Sequence, residues 1–426
     1  MREPFQRLYP DRVAVLDPAF DKLEGTRWNL AVTYSGRTLE ILEASTGRPA
    51  WPRSIACAAE PTLLGMSGTH YVFATRHRIF ALEGTDGALA WQIGEEPRDD
   101  PNIDPESIPS WTDRFMTARY LYAVSTTGEL VGIDLGNGAV RWRHKVDKRV
   151  SNVLLADNRC VYYVTRQDEK TAIHVLDAES GAGVRVIPMA GEEPIQALRA
   201  ASRGSFLAVM GQRVAWVHTA TGEVGWQTTM YHAFPLSALQ TNETGLFMAW
   251  NSGAVTRLDF VERGSPADGL FESGLESNQI WTTLCPADFY VAGDSAIMAF
   301  ETRVWPQTDR QAATSRPTFK PRWRVERVAA FTCWPPLLTA DAILTISIEG
   351  RDTTTTATTQ AASSQPETVA RFRVRAFSRA DGHEIRIAAD GALVTEPLKS
   401  FSGIHVRDNC VVVLDGDRLI GYPGAD

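Results

Sequence analysis

The chain has 426 residues, 44% of them hydrophobic and 22% charged, a balance that excludes wholesale disorder and suffices for a sizeable core. Its formal net charge of -8 excludes a global basic field for holding a nucleic-acid backbone or an anionic membrane surface. No apolar run approaches the roughly 18 residues a membrane-spanning helix needs, and the five scattered cysteines, without CxxC or an adjacent pair, argue against a disulfide framework or a zinc cluster.

From the N-terminus, MREPFQRLYPDR lacks the apolar stretch of a secretory signal. Cytoplasmic residence is therefore expected unless the sequence is a piece of an exported protein. RVAVLD (Arg12–Asp17) reads as a short strand. LEASTGRPAW, ending at Trp51, opens a series continued by ALEGTDGALAW to Trp91, GIDLGNGAVRW to Trp142 and WVHTATGEVGW to Trp226. In these four the tryptophan follows its glycine (Gly47, Gly87, Gly138, Gly222) by four residues, and looser copies surround Gly181 and Gly382. In all six copies an apolar residue (Leu42, Leu82, Ile133, Leu176, Val217, Phe377) stands five before the glycine. Directly before the glycine stands Thr46, Asp86, Asn137, Ser180, Thr221 or Asp381.

The first five glycines are spaced by 40, 51, 43 and 41 residues, the period of one four-stranded propeller blade rather than of a helical solenoid. Between turns the stretches are short and rich in Val, Ile, Tyr, Phe and Thr, as in THYVFATRHRIFALEGTDG, which is strand chemistry. The polar residue before each glycine can bond to the local backbone while glycine supplies a positive φ, so the chain reverses within a few residues. Tryptophan on the outer strand is suited to wedge between neighbouring blades, with its N–H free to find an acceptor.

Beyond Gly222 the motif decays while strand patterns continue in GLFMAWNSGAVTRLDFVERG and in FYVAGDSAIMAFETRVW followed by KPRWRVERV. RDTTTTATTQAASSQPE, Arg351 to Glu367, is low in complexity and reads as a disordered insertion between two strands of one blade. Three strands close the sequence: GIHVRDN, CVVVLDGD and RLIGYPG. Open sheet edges invite aggregation, so these three are expected to pair with Arg12–Asp17. The expectation is an all-β chain, a single β-propeller domain spanning 1–426, with about eight four-stranded antiparallel blades, seven being the alternative.

Two charged regions depart from the repeat. The loop of residues 94–111 carries six acids and four prolines; Glu95, Glu96, Asp99 and Asp100 are candidates for a basic partner, against the plainer reading of a solvated extension. RWRHKVDKR (Arg141–Arg149) and the stretch of residues 310–327 are basic. Arg322 and Arg324 in the latter are candidates for an acidic partner, while guarding an edge strand is the plainer role.

The spacing Leu/Ile-Asp/Glu-x-x-Thr/Asn/Asp-Gly-x-x-x-Trp resembles the repeat of the PQQ-like propellers, also called quinoprotein alcohol dehydrogenase-like, strongly from Gly47 to Trp226. One branch of that family binds pyrroloquinoline quinone and calcium and oxidises alcohols or sugars; the other has lost the cofactor and acts as a scaffold. The dehydrogenases carry an adjacent cysteine pair beside the quinone, which this sequence lacks, and none of their catalytic or calcium-binding residues maps onto it. The resemblance therefore implies a monomeric, non-enzymatic scaffold for a protein partner, with no cofactor, no nucleic acid and no membrane insertion. A quinone- and calcium-dependent dehydrogenase, or a carbohydrate-binding or hydrolysing propeller, is the alternative.

Overall fold

The computed structural model describes residues 5–16, 30–96 and 108–146, most of 149–229, and between 236 and 423 the strands with some of their turns. Its described residues form nine four-stranded antiparallel sheets and no helix. Numbered by their first strand, sheets 2 to 6 each take four consecutive strands. They run from Ala14–Val15 to Ile55–Ala56, Thr62–Ser67 to Leu89–Ile93, Trp111–Met116 to Val140–Lys145, Arg149–Ala156 to Gly183–Met189, and Ile195–Ala201 to Val224–Thr229. Sheets 7, 8 and 9 run from Leu236–Thr241 to Asp268–Glu272, Trp281–Leu284 to Trp323–Glu326, and Leu337–Leu338 to Glu384–Ile385.

Sheet 1 joins both ends of the chain, but through a different segment from the expected one. Phe5–Leu8 pairs with Arg418–Pro423, in the register Phe5↔Gly421 to Leu8↔Arg418, and Tyr9 N–H donates to the Asp417 carbonyl. Within Arg12–Asp17, Ala14 and Val15 instead begin sheet 2, opposite Tyr34 and Thr33. Pro10 has no N–H to extend a ladder, so the N-terminal segment breaks there and serves two sheets. The described residues thus form nine sheets where about eight were expected.

Two compact units hold these sheets: residues 14–43 with 48–231 contain sheets 2 to 6, and residues 1–13, 44–47 and 232–426 contain sheets 1 and 7 to 9. Within the first unit each sheet packs a face on the next. Leu64, Val72 and Ala81 of sheet 3 meet Leu121, Val131 and Ile133 of sheet 4, and Tyr162, Ile173 and Ile187 of sheet 5 meet Phe206, Ala215 and Val217 of sheet 6. Middle strands such as YLYAVS, Tyr120–Ser125, are buried at every position. They read as continuous apolar runs because both faces are covered. Outer strands alternate: in VRWRHK, Val140–Lys145, Trp142 is buried between the exposed Arg141 and Arg143.

The low-complexity insertion begins later than its composition suggests. Arg351, Asp352 and Thr353 continue the ladder of Ala342–Thr353 with Thr368–Ser378, opposite Ala370, Val369 and Thr368, as β-branched threonine favours. The rest of the insertion, 354–367, lies outside the described residues.

Candidate functional site

The repeated turn is built as its spacing predicts. Gly47, Gly87, Gly138, Gly181, Gly222 and Gly382 all take positive φ, between 67° and 77°, where a side chain would be strained. Five of the six donate their N–H to the carbonyl four residues earlier, as Gly138 does to Asp134 at 2.8 Å. The preceding polar side chain accepts the N–H two residues on: Asp86 from Ala88 at 2.9 Å, Asn137 from Ala139 at 2.9 Å and Thr221 from Glu223 at 3.2 Å.

Trp51, Trp91, Trp142 and Trp323 each lie over the glycine of the following copy. A Cβ on Gly87 would stand 2.7 Å from the Trp51 ring, on Gly138 2.7 Å from Trp91, and on Gly382 2.7 Å from Trp323; on Gly181 it would overlap Trp142 more closely still. The indole N–H donates to the carbonyl three residues before that glycine: Trp51 to Gly84 and Trp91 to Leu135 at 3.0 Å, Trp142 to Ala178 and Trp323 to Arg379 at 3.1 Å. Glycine thus does two tasks, turning the chain and leaving room for the ring. The Trp226 side chain lies outside the described residues.

At the next joint the pattern breaks. Arg185 stands four residues after Gly181, in the tryptophan's place, and its Cδ lies where a Cβ on Gly222 would be 2.7 Å away. Its Nη1 is buried without a hydrogen-bond partner.

On the other face of the same outer strand a groove opens between Val140–Lys145 of sheet 4 and Lys170–Asp177 with Gly183–Met189 of sheet 5. It encloses about 310 Å3 and is lined by His144, Tyr163, His174, Val184 and Val186. Its floor is an aromatic series. Tyr163 stacks on His174 with centroids 4.7 Å apart and an interplanar angle of 14°, and its hydroxyl lies 3.2 Å from His144 Nε2. Thr165 Oγ1 lies 2.8 Å from His174 Nε2. Burial, then repulsion from His144, lowers the His174 pKa below the ordinary histidine value. Val184 and Val186 form the open wall at 55% and 56% exposure.

The charged candidates fare differently. Glu95 is exposed and Glu96 half-buried, while Asp99 and Asp100 lie outside the described residues. Arg322, itself exposed, reaches the buried Asp288: its Nη1 is 2.9 Å from Asp288 Oδ1, and it donates to the Arg379 carbonyl. Asp288 also accepts from the Tyr290 hydroxyl at 2.9 Å, and Arg379 Nε donates to Tyr290 at 3.2 Å. Arg324 pairs with Glu326. The groove residues carry no sequence motif of their own; the one available signal was arginine where its sister copies place tryptophan.

The family described as outer membrane protein assembly factor BamB matches residues 25–159 and 109–258. Those spans cover more than half of the chain, which therefore belongs to this family of PQQ-like repeat β-propellers. No curated protein matches it. Among solved structures, the computationally designed Ika8 protein is similar at TM-score 0.50 and 13% identity, over 84% of this chain and 94% of that one, a likeness of fold alone. BamB from Moraxella catarrhalis aligns at TM-score 0.48 and 15% identity, over 80% and 96% of the two chains. Hsv2p of Kluyveromyces lactis aligns at 0.48 and 10%, over 73% and 98%.

Proposed function

We propose that the chain is a non-catalytic PQQ-like repeat propeller that acts as a protein–protein interaction scaffold. The family match carries this reading, since the matched family is described as an assembly factor for outer membrane proteins. The use of the repeat's own residues agrees with it: Trp51, Trp91 and Trp142 are consumed in packing one sheet on the next, which leaves outer strands and loops to present chemistry on a rigid frame. The reading assigns the protein no cofactor, and offers Glu95 and Glu96 at the start of the acidic loop to a basic partner. Chemical crosslinking of the purified chain in extract of its native cells, with mass-spectrometric identification, is expected to return a stoichiometric protein partner. Saturable binding of pyrroloquinoline quinone with calcium, read by quinone absorbance and thermal stabilisation, would overturn the reading in favour of a dehydrogenase.

A further inference from the structure

The outer strands of sheets 4 and 5 present different surfaces. Val140–Lys145 exposes Arg141, Arg143 and Lys145, the charges that normally discourage strand addition. Gly183–Met189 exposes Val184, Val186 and Pro188. Among the described residues it is the one strand with two exposed large hydrophobic side chains, and they share a face because side chains alternate along a strand. They stand roughly 6.7 Å apart, the spacing of alternate residues in any extended chain. Its ladder to Lys170–Asp177 shifts register at Val175/Leu176 and Pro188 has no N–H to give, so only a short edge is open. Side chains in the groove, rather than a long added ladder, must then supply the recognition.

We propose that the groove lined by His144, Tyr163, His174, Val184 and Val186 docks an extended segment of a partner protein that carries an apolar residue beside a carboxylate. The proposal rests on the scaffold reading and names a surface and partner chemistry for it. The apolar side chain enters the 310 Å3 pocket over the Tyr163–His174 stack, against the two valines. The carboxylate meets the imidazoles. The Tyr163 and Thr165 hydroxyls are paired with the Nε2 atoms of His144 and His174, and among the described residues neither Nδ1 has a partner; in the tautomers that the proposal assigns, the hydroxyls donate and each ring presents its proton on Nδ1. No carboxylate among the described residues lines the pocket. The nearby Glu129, across from Lys145, is held by Arg143 at 2.9 Å. A basic segment would find no counter-charge there, whereas an acidic one finds two donors.

The test is selection of displayed random peptides of about ten residues on the full chain, followed by affinity measurement on variants. Enriched peptides are expected to combine Asp or Glu with Val, Ile, Leu or Phe. They should lose about tenfold or more on Val184→Glu/Val186→Glu, whose sites are more than half exposed and whose unfolding midpoint should match the parent's. His144→Gln/His174→Gln leaves the valine wall intact and should weaken the same peptides several-fold. Absence of enrichment, enrichment without acidic residues, or unchanged affinity for both variants would overturn the proposal. Peptides that bind the parent and both variants equally would place recognition on another surface, leaving the scaffold reading standing without this groove.

Discussion

At four joints an indole covers the glycine of the following copy and donates to a carbonyl beside it; between sheets 5 and 6 the same place over Gly222 is held by Arg185. The backbone does not register the exchange, since Gly222 keeps a φ of 74° and its N–H still donates to His218. Backbone turn and interlocking ring are thus separable parts of one motif. The turn is local, satisfied by glycine and its polar neighbour, while the ring matters only because another sheet arrives beneath it. Where the ring is replaced, a guanidinium stem fills part of the volume but leaves Nη1 buried and unpaired. The outer strand that carries this exchange is also the one that exposes Val184 and Val186.

The sharpest way to break this comparison is Trp91→Ala, since Trp91 is 7% exposed and holds the joint of sheets 3 and 4. We expect a loss of about 3 to 5 kcal/mol in urea unfolding; a change below about half a unit would mean that the ring does not hold the joint. Gly138→Ala strikes the same joint from the other side. Left-handed strain and a methyl 2.7 Å from the Trp91 ring should together cost about 2 to 4 kcal/mol, and the two substitutions combined should cost less than their sum because they share a contact. Full additivity would refute that coupling.

The groove offers a smaller effect. His174 is depressed by burial and by His144, while Tyr163, Thr165 and Val186 also face it without carrying charge near neutrality. Because its folded pKa lies below the unfolded value near 6.5, the unfolded chain takes up the proton first, and stability is lost as pH falls through that value. From about pH 7.5 to about pH 5.5 the unfolding midpoint should fall further in the parent than in His174→Gln, with equal falls refuting the assignment. The smallest effect is expected at the exceptional joint. Arg185→Leu removes the buried, unpaired Nη1 while keeping an apolar stem over Gly222, so stability should stay within about 1 kcal/mol of the parent or rise. A loss as large as that of Trp91→Ala would show that Arg185 has a partner equivalent to the indole's carbonyl.

Much of the fold was legible in the sequence because its signals are local. A polar residue and glycine at a fixed offset make a turn by bonding within five residues, and Asp86, Asn137 and Thr221 do so. Runs such as YLYAVS announce a strand covered on both faces. The N-terminal pairing was misassigned because RVAVLD is the more apolar segment, while FQRL, which pairs with the C-terminal strand, looks polar by composition. The ion pair of Arg322 was not legible because its partner, Asp288, is remote in sequence and becomes buried only when its sheet forms.

By itself, then, the sequence determined the repeat: its period, its turns, its strands and the family to which they belong, all written in spacings of fewer than six residues or in their recurrence. Tertiary structure alone decided what each side chain meets. Trp91 finds its carbonyl 44 residues away, and His144 meets the Tyr163 hydroxyl across two sheets. Val184 and Val186 stay uncovered although valine in a strand normally signals burial. Burial, partner and charge environment depend on which sheet face arrives opposite, and no local spacing encodes that.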